Sequence, residues 1–281
     1  MRRYHGPLQG VILDWAGTVV DYGCMAPLEA IIEAFHARGI ALTVEEARKP
    51  MGAAKRDHIS QLLATPSVEA QWRSRYQRSP TENDVQHVFD AFTSRLIGRI
   101  AEHATLIPGT RETAAAMKHK GWKIGSCTGY TRSMMEPLLA AARAQGYEPD
   151  ALVCPEDAGG GRPSPWMCYL NASRLGVYPM ESLVKIGDTA MDILEGINAG
   201  MWTIGVAKTG NELGLTEAEA KAVPVVELNV RLADAYQRLD AAGAHYVVDS
   251  LVDAPPLLEE IDARLRRGEH PKDDGVLTKP H

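Results

Sequence analysis

Val11-Ile12-Leu13-Asp14-Trp15-Ala16-Gly17-Thr18 decides how this chain is read. Three apolar residues suited to a buried parallel strand run into an aspartate, and Gly17 allows a sharp turn just beyond it. An aspartate at the carboxyl end of a first strand faces the crevice where open α/β sheets bind ligands. Much later, Gly187-Asp188-Thr189 follows the apolar run Leu183-Val184-Lys185-Ile186 and repeats the arrangement. Alone, either aspartate is a turn or cap residue. Together, two such strand ends can share one cation and one phosphoryl group.

Outward from this stretch the pattern changes. Pro27 to Phe35 carries apolar residues at helical spacing, and Thr43-Val44-Glu45-Glu46 has the form of a capping box. Helical patterns continue through Trp72 and Tyr76 and from Glu82 to about Ile100, with no strand-like run after Asp21. Residues 21–100 are therefore expected to form a helical cap inserted after the first strand, with 1–20 and 101–281 forming the core. From Pro108 strands and helices alternate: Lys123 to Ser126, Leu152 to Cys154, Val184 to Ile186, Thr203 to Val206 and Tyr246 to Val248 read as strands. The fold class that follows is α/β, a doubly wound, Rossmann-like parallel sheet with right-handed crossovers and helices on both faces. The polar, proline-bearing tail 268–281 is expected to be loose.

Composition sets bounds on partners. Of 281 residues, 45% are hydrophobic and 23% charged, and the formal net charge is -6. That balance argues against nucleic acid or an anionic membrane as the main partner. No run approaches the ~18 apolar residues of a membrane span, and no secretory h-region precedes the first strand. The scattered Cys24, Cys127, Cys154 and Cys168 show no metal-ligand spacing and read as reduced thiols, so a cytoplasmic location is expected.

Four strand-end loops then meet at one crevice, each with a use in handling a phosphoryl group. Asp14 is a candidate carboxylate nucleophile, which would split one hard displacement into two easier ones. Thr128, Gly129 and the amides that follow could hold phosphate oxygens at a helix N-terminus. Arg162 could neutralise charge on the transferring group. Asp188 could ligate Mg²⁺ with Asp14, a hard oxygen site suited to that ion, and Asp192, four residues on, would face the same way.

These loops, in this order, resemble the four motifs of the haloacid dehalogenase superfamily, with a helical cap after the first. The resemblance covers essentially the whole chain. Phosphatases of that superfamily carry a second aspartate two places after the nucleophile, as acid/base for the leaving oxygen; here that position is Ala16. Met51-Gly52-Ala53-Ala54-Lys55-Arg56-Asp57-His58 is similar to the cap segment of the phosphonoacetaldehyde hydrolases, and Asp14 to Thr18 to their nucleophile loop. The resemblance implies a Schiff base between Lys55 and a substrate aldehyde, a protonated imine that accepts the electron pair of a breaking carbon–phosphorus bond. It further implies Mg²⁺ held by Asp14, Asp188 and the Ala16 carbonyl. Proton relay by His58, site-lining roles for Cys24, Met51 and Tyr130, and a homodimer through the caps complete what it implies.

The implied substrate is a small phosphonate, phosphonoacetaldehyde. Two alternatives stay open on sequence: a phosphatase for small phosphate esters, and a catalytically silent binding protein of the same fold. For imine chemistry Lys55 must be neutral part of the time near pH 7, whereas an unperturbed lysine titrates near ~10.4. Burial, Arg56 or a bound metal would lower that value, and Asp57 would raise it.

Overall fold

A computed structural model describes residues 3–274. Six parallel strands, β1 (Gly10–Leu13), β2 (Lys123–Cys127), β3 (Ala151–Val153), β4 (Leu183–Gly187), β5 (Trp202–Val206) and β6 (Tyr246–Val248), lie in the order β3-β2-β1-β4-β5-β6. The strand order reverses between β1 and β4, which opens a crevice beyond their carboxyl ends. Register brings the two chemically rich ends together: Leu13 pairs with Ser126 on one side and Ile186 on the other, and Asp14 N donates to Ile186 O at 3.0 Å.

Strand residues alternate between two cores, as a two-residue period requires. Val11, Leu13, Val184 and Ile186 face one apolar cluster, while Ile12 and Leu183 face a second with Met167 and Met201. Both faces of β1 and β4 are thus covered, which is why they read as unbroken apolar runs. Lys185 is the exception, wholly buried within β4.

Between β1 and α6 (Thr110–His119) come α1 (Met25–His36), α2 (Val44–Arg48), α3 (Lys55–Leu63), α4 (Pro66–Tyr76) and α5 (Glu82–His103). The expected capping box is present: Glu46 N donates to Thr43 Oγ1 at 3.1 Å and Thr43 N to Glu46 Oε2 at 2.9 Å. α5 runs three residues past the expected stop at Ile100. Ile31, Phe35, Phe92 and Leu96 are buried where α1 packs on α5, and this apolar contact is continuous with one core of the sheet. The remaining helices, α7 (Arg132–Ala144), α8 (Pro155–Ala158), α9 (Trp166–Leu175), α10 (Ala190–Ala199), α11 (Glu217–Ala222), α12 (Val225–Ala241) and α13 (Ala254–Arg266), follow the strands. Among the described residues no helix is long and apolar enough to cross a membrane.

The stretch after Gly268, expected to be loose, is tied down as far as Asp274. Arg3 Nη1 donates to Gly268 O at 3.1 Å and pairs with Asp273 at 2.9 Å, and Pro271–Asp274 forms a 3₁₀ turn. Composition could not reveal an anchoring cation at the other end of the chain. Residues 275–281 of that expectation lie outside the described residues.

Asp21 sets the entry into the helical insertion. It sits at φ +56°, and its carboxylate accepts from the Met25 and Ala26 amides, both at 3.0 Å, at the start of α1. Asp21→Ala should therefore destabilise the protein by about 1–2 kcal/mol in urea denaturation, the scale of a lost helix-start acceptor. Asp21→Asn, which keeps an acceptor and tolerates positive φ, should lose less than half of that. Equal losses would contradict this account of the turn.

Candidate active site

Asp14, Thr128, Gly129, Arg162 and Asp188 reach one buried cavity from the ends of the strands and their loops. Lys55 and Met51 reach it from the helical insertion, while Cys24, Tyr130 and Ala16 complete the wall. Pro27, Gly52 and Thr189, which sequence reasoning did not single out, also line it. The cavity offers only about 20 Å³, room for little more than one water. A larger cleft of about 480 Å³ lies at the opposite, amino-terminal ends of β1 and β2, but its charged groups are already engaged, Lys120 with Glu259, Arg266 with Asp262 and Lys123 with Leu175 O. The small cavity differs from that cleft in bringing an amine, a guanidinium and two carboxylates to one place.

Close backbone approach narrows it. Gly129 lies so near the insertion that a Cβ there would stand 2.4 Å from Ala53 O, and Lys55 N donates to Gly129 O at 3.2 Å. Gly17, at φ +81°, likewise admits the Asp188 carboxylate, which a Cβ would meet at 2.3 Å.

Arg162 is the hub of the polar network, its side chain 1% exposed. Nη2 donates to Asp14 Oδ1 at 2.5 Å and to Cys127 O at 3.0 Å, Nη1 to Gly52 O at 3.2 Å, and Nε to Glu195 Oε2 at 2.9 Å. One guanidinium thus touches Asp14, the sheet and the insertion. Asp192 stands behind the cavity wall, with Lys185 Nζ on its Oδ1 at 2.6 Å and Thr189 Oγ1 on its Oδ2 at 2.6 Å. Burial pushes its carboxyl up, but Arg162 and Lys185 together hold it below the ordinary range.

The carboxylates of Asp14, Asp188 and Asp192 offer oxygens within 4.8 Å of one another. Asp188 Oδ2 accepts from Asn211 N at 2.7 Å and Cys24 Sγ at 3.1 Å, whereas Oδ1 has no hydrogen-bond partner among the described residues. Burial, reinforced by Asp14 and Asp192, pushes the Asp188 carboxyl far above its usual range, and burial likewise raises Asp14. An orphaned oxygen facing a second carboxylate is the donor set a hard divalent cation requires. The site fits such an ion, with Asp14 and Asp188 as ligands. Asp192 is committed to Lys185 and Thr189 and supports them.

Lys55 is 4% exposed, its Nζ 3.7 Å from Met51 Sδ and 5.4 Å from the centre of the Tyr130 ring. Burial lowers its pKa to about 8; Arg162 assists, while Cys24 and Asp14 oppose. Arg56 takes no part in this: it turns outward to Glu82 at 2.6 Å. His58, one turn along α3, does not line the cavity. Its Nε2 is bonded to Ala47 O at 2.9 Å, and burial pushes its pKa down to about 3, so it stands as a neutral ring behind Lys55. The Cys24 thiol and the Tyr130 phenol are pushed well up by burial and stay protonated.

Lys185 and Glu195 are the buried charges that sequence reasoning missed. A lysine between Val184 and Ile186 on a strand buried on both faces was the available signal, as was Glu195 three residues after Asp192 on α10.

The lowered pKa sets a testable pH profile. Reductive methylation of Lys55 with formaldehyde and a mild hydride donor should accelerate about tenfold per pH unit, then level near pH 8, while surface lysines keep accelerating toward ~10.4. Mass mapping of peptides reads both rates. A Lys55 profile parallel to the surface lysines would contradict the burial argument.

Comparison with known proteins agrees with this geometry. The family model of haloacid dehalogenase-like hydrolases matches residues 8–200. A protein of Syntrophobacter fumaroxidans named phosphonoacetaldehyde hydrolase is 50% identical over 268 residues, 95% of this chain and 97% of its own. One of the same name from Nitratidesulfovibrio vulgaris is 48% identical over 270 residues, 96% of each chain. A crystal structure titled as a phosphonoacetaldehyde hydrolase-like protein from Oleispira antarctica superposes with a TM-score of 0.94 at 39% identity, covering 96% of this chain and 98% of that one. The chain belongs to the haloacid dehalogenase-like hydrolases and, within them, to the phosphonoacetaldehyde hydrolase family.

Proposed function

We propose that the protein hydrolyses the carbon–phosphorus bond of phosphonoacetaldehyde to acetaldehyde and phosphate. The observation that carries this reading is a buried amine, Lys55, with its pKa lowered to about 8, in the same small cavity as Asp14. Neutral Lys55 adds to the aldehyde, and the adduct takes up a proton from solvent and loses water to give a protonated imine. Asp14 attacks phosphorus, and the electron pair of the carbon–phosphorus bond moves into the imine to leave an enamine. Protonation at carbon and hydrolysis release acetaldehyde and free Lys55. Water cleaves the aspartyl-phosphate and restores Asp14. Arg162 holds the Asp14 carboxylate through this sequence and offsets charge on the phosphoryl oxygens, while Thr128 and the Gly129 and Tyr130 amides receive them.

Mg²⁺ is the ion we assign to Asp14, Asp188 and the Ala16 carbonyl; when bound it supplies charge stabilisation on the phosphoryl oxygens. The side chain of Ala16 cannot protonate an alkoxide, which disfavours the phosphate-ester phosphatase. A silent binding protein would have no use for a buried amine beside a carboxylate.

The contact of the helical insertion with the core supports a cap role for it, because Gly52 to Lys55 lie against Gly129 and Arg162 at the cavity and would have to lift to widen it. Cytoplasmic location is supported by four free, buried thiols. The homodimer through the caps rests on the family resemblance, and sedimentation tests it.

In Mg²⁺ the purified protein should release acetaldehyde and phosphate in equal amounts, and excess EDTA should stop it. Lys55→Arg and Asp14→Asn should each lose about 10³-fold or more of kcat while still folding, the scale of removing a covalent group. Phosphate release that survives in Lys55→Arg contradicts the imine, and release that survives EDTA contradicts the metal.

A further inference from the structure

Glu195 is a fully buried carboxylate to which the proposed reaction gives no part. It lies on α10, behind Arg162 as seen from the cavity. Its Oε2 accepts from Arg162 Nε at 2.9 Å and from Cys127 Sγ at 3.2 Å, with Lys185 Nζ at 3.5 Å. Its Oε1 has no hydrogen-bond partner among the described residues. Cys127, Cys168 and Glu195 offer ligand atoms within 4.8 Å of one another, but two cations already crowd the Glu195 oxygen, so this cluster is not assigned to a metal.

We propose that Glu195, itself held by Lys185, is a positioning residue that sets the direction of the Arg162 guanidinium. A guanidinium is a rigid, planar fork, so fixing its Nε–H fixes where both Nη groups point. With Nε on Glu195, Nη2 is aimed at Asp14 and Nη1 at Gly52 of the insertion. Asp192 competes for the same arginine, with its Oδ1 3.1 Å from Nη2. Lys185 offsets that pull by contacting both carboxylates, at 2.6 Å for Asp192 and 3.5 Å for Glu195. A buried carboxylate is expensive to desolvate, and an apolar residue would pack this space at lower cost. The charge is retained because the fork must face one way at the moment phosphorus is attacked.

The inference rests on Arg162 acting on the phosphoryl group as proposed above, and the test separates the two. Glu195→Gln keeps size and an acceptor but loses the charge. With phosphonoacetaldehyde and Mg²⁺ its kcat should fall roughly 10-fold or more, the scale for residues that orient an active group, with unchanged borohydride trapping at Lys55. In an Arg162→Lys background, which has no Nε fork, the same substitution should change kcat by less than about twofold, because coupled residues are not additive. A kcat in Glu195→Gln within about twofold of wild type, or a full additive loss in Arg162→Lys, overturns the inference. Should Glu195→Gln fail to fold, Glu195→Asp keeps the charge but withdraws it from Nε, and the same kcat loss and non-additivity are expected. Wild-type protein that neither traps substrate nor releases phosphate overturns the functional reading and this inference with it, whereas an active wild type with an equally active Glu195→Gln overturns the inference alone.

Discussion

Asp14 and Asp188 stand side by side because β1 and β4 pair in parallel register at the reversal of strand order, and most of the site answers to the repulsion between them. Two carboxylates with oxygens within 4.8 Å of one another repel by roughly 3–4 kcal/mol at an effective dielectric of ~20, and Asp192 adds a third charge. Arg162 compensates Asp14 and Lys185 compensates Asp192, both at hydrogen-bond distance. Asp188 receives only an amide and a thiol, and its carboxyl is pushed far up. The uncompensated repulsion is the electrostatic argument for a divalent cation, which when bound would favour the ionised form of Asp14.

The same burial acts with opposite sign on Lys55. Desolvation penalises whichever form is charged, so it raises the aspartates and lowers the amine. Burial therefore leaves two unlike groups at one cavity: an amine with a pKa near 8 and a carboxylate held by one arginine. The cost is access. The glycines at positions 52 and 129 that let the insertion settle on the core also leave no room for substrate while it is closed.

The fold was legible because β1 and β4 are covered on both faces and so spell apolar runs, and because helical patterns recur from Pro27 to Ile100 with no strand-like run between them. Asp14, Thr128, Arg162 and Asp188 were legible from their places at strand ends. Lys55 was legible only through resemblance, since a helix lysine otherwise reads as solvated surface. His58 shares a helix face with Lys55, but spacing could not tell that its ring would turn to Ala47 O. Lys185 and Glu195 were missed because charged residues in a strand or helix are usually solvated; only the two-sided burial of β4 reverses that reading. Nor could composition reveal that Arg3 would anchor the chain near Asp273.

The central claim is that an amine, Lys55, accepts the electrons of the breaking carbon–phosphorus bond. Borohydride reduction during turnover, followed by mass mapping of peptides, tests it most directly. Wild-type protein should carry an ethyl group on Lys55, free of phosphorus, and Asp14→Asn should carry a phosphonoethyl group on the same residue. No adduct on Lys55, or an ethyl group there in Asp14→Asn, would contradict the account.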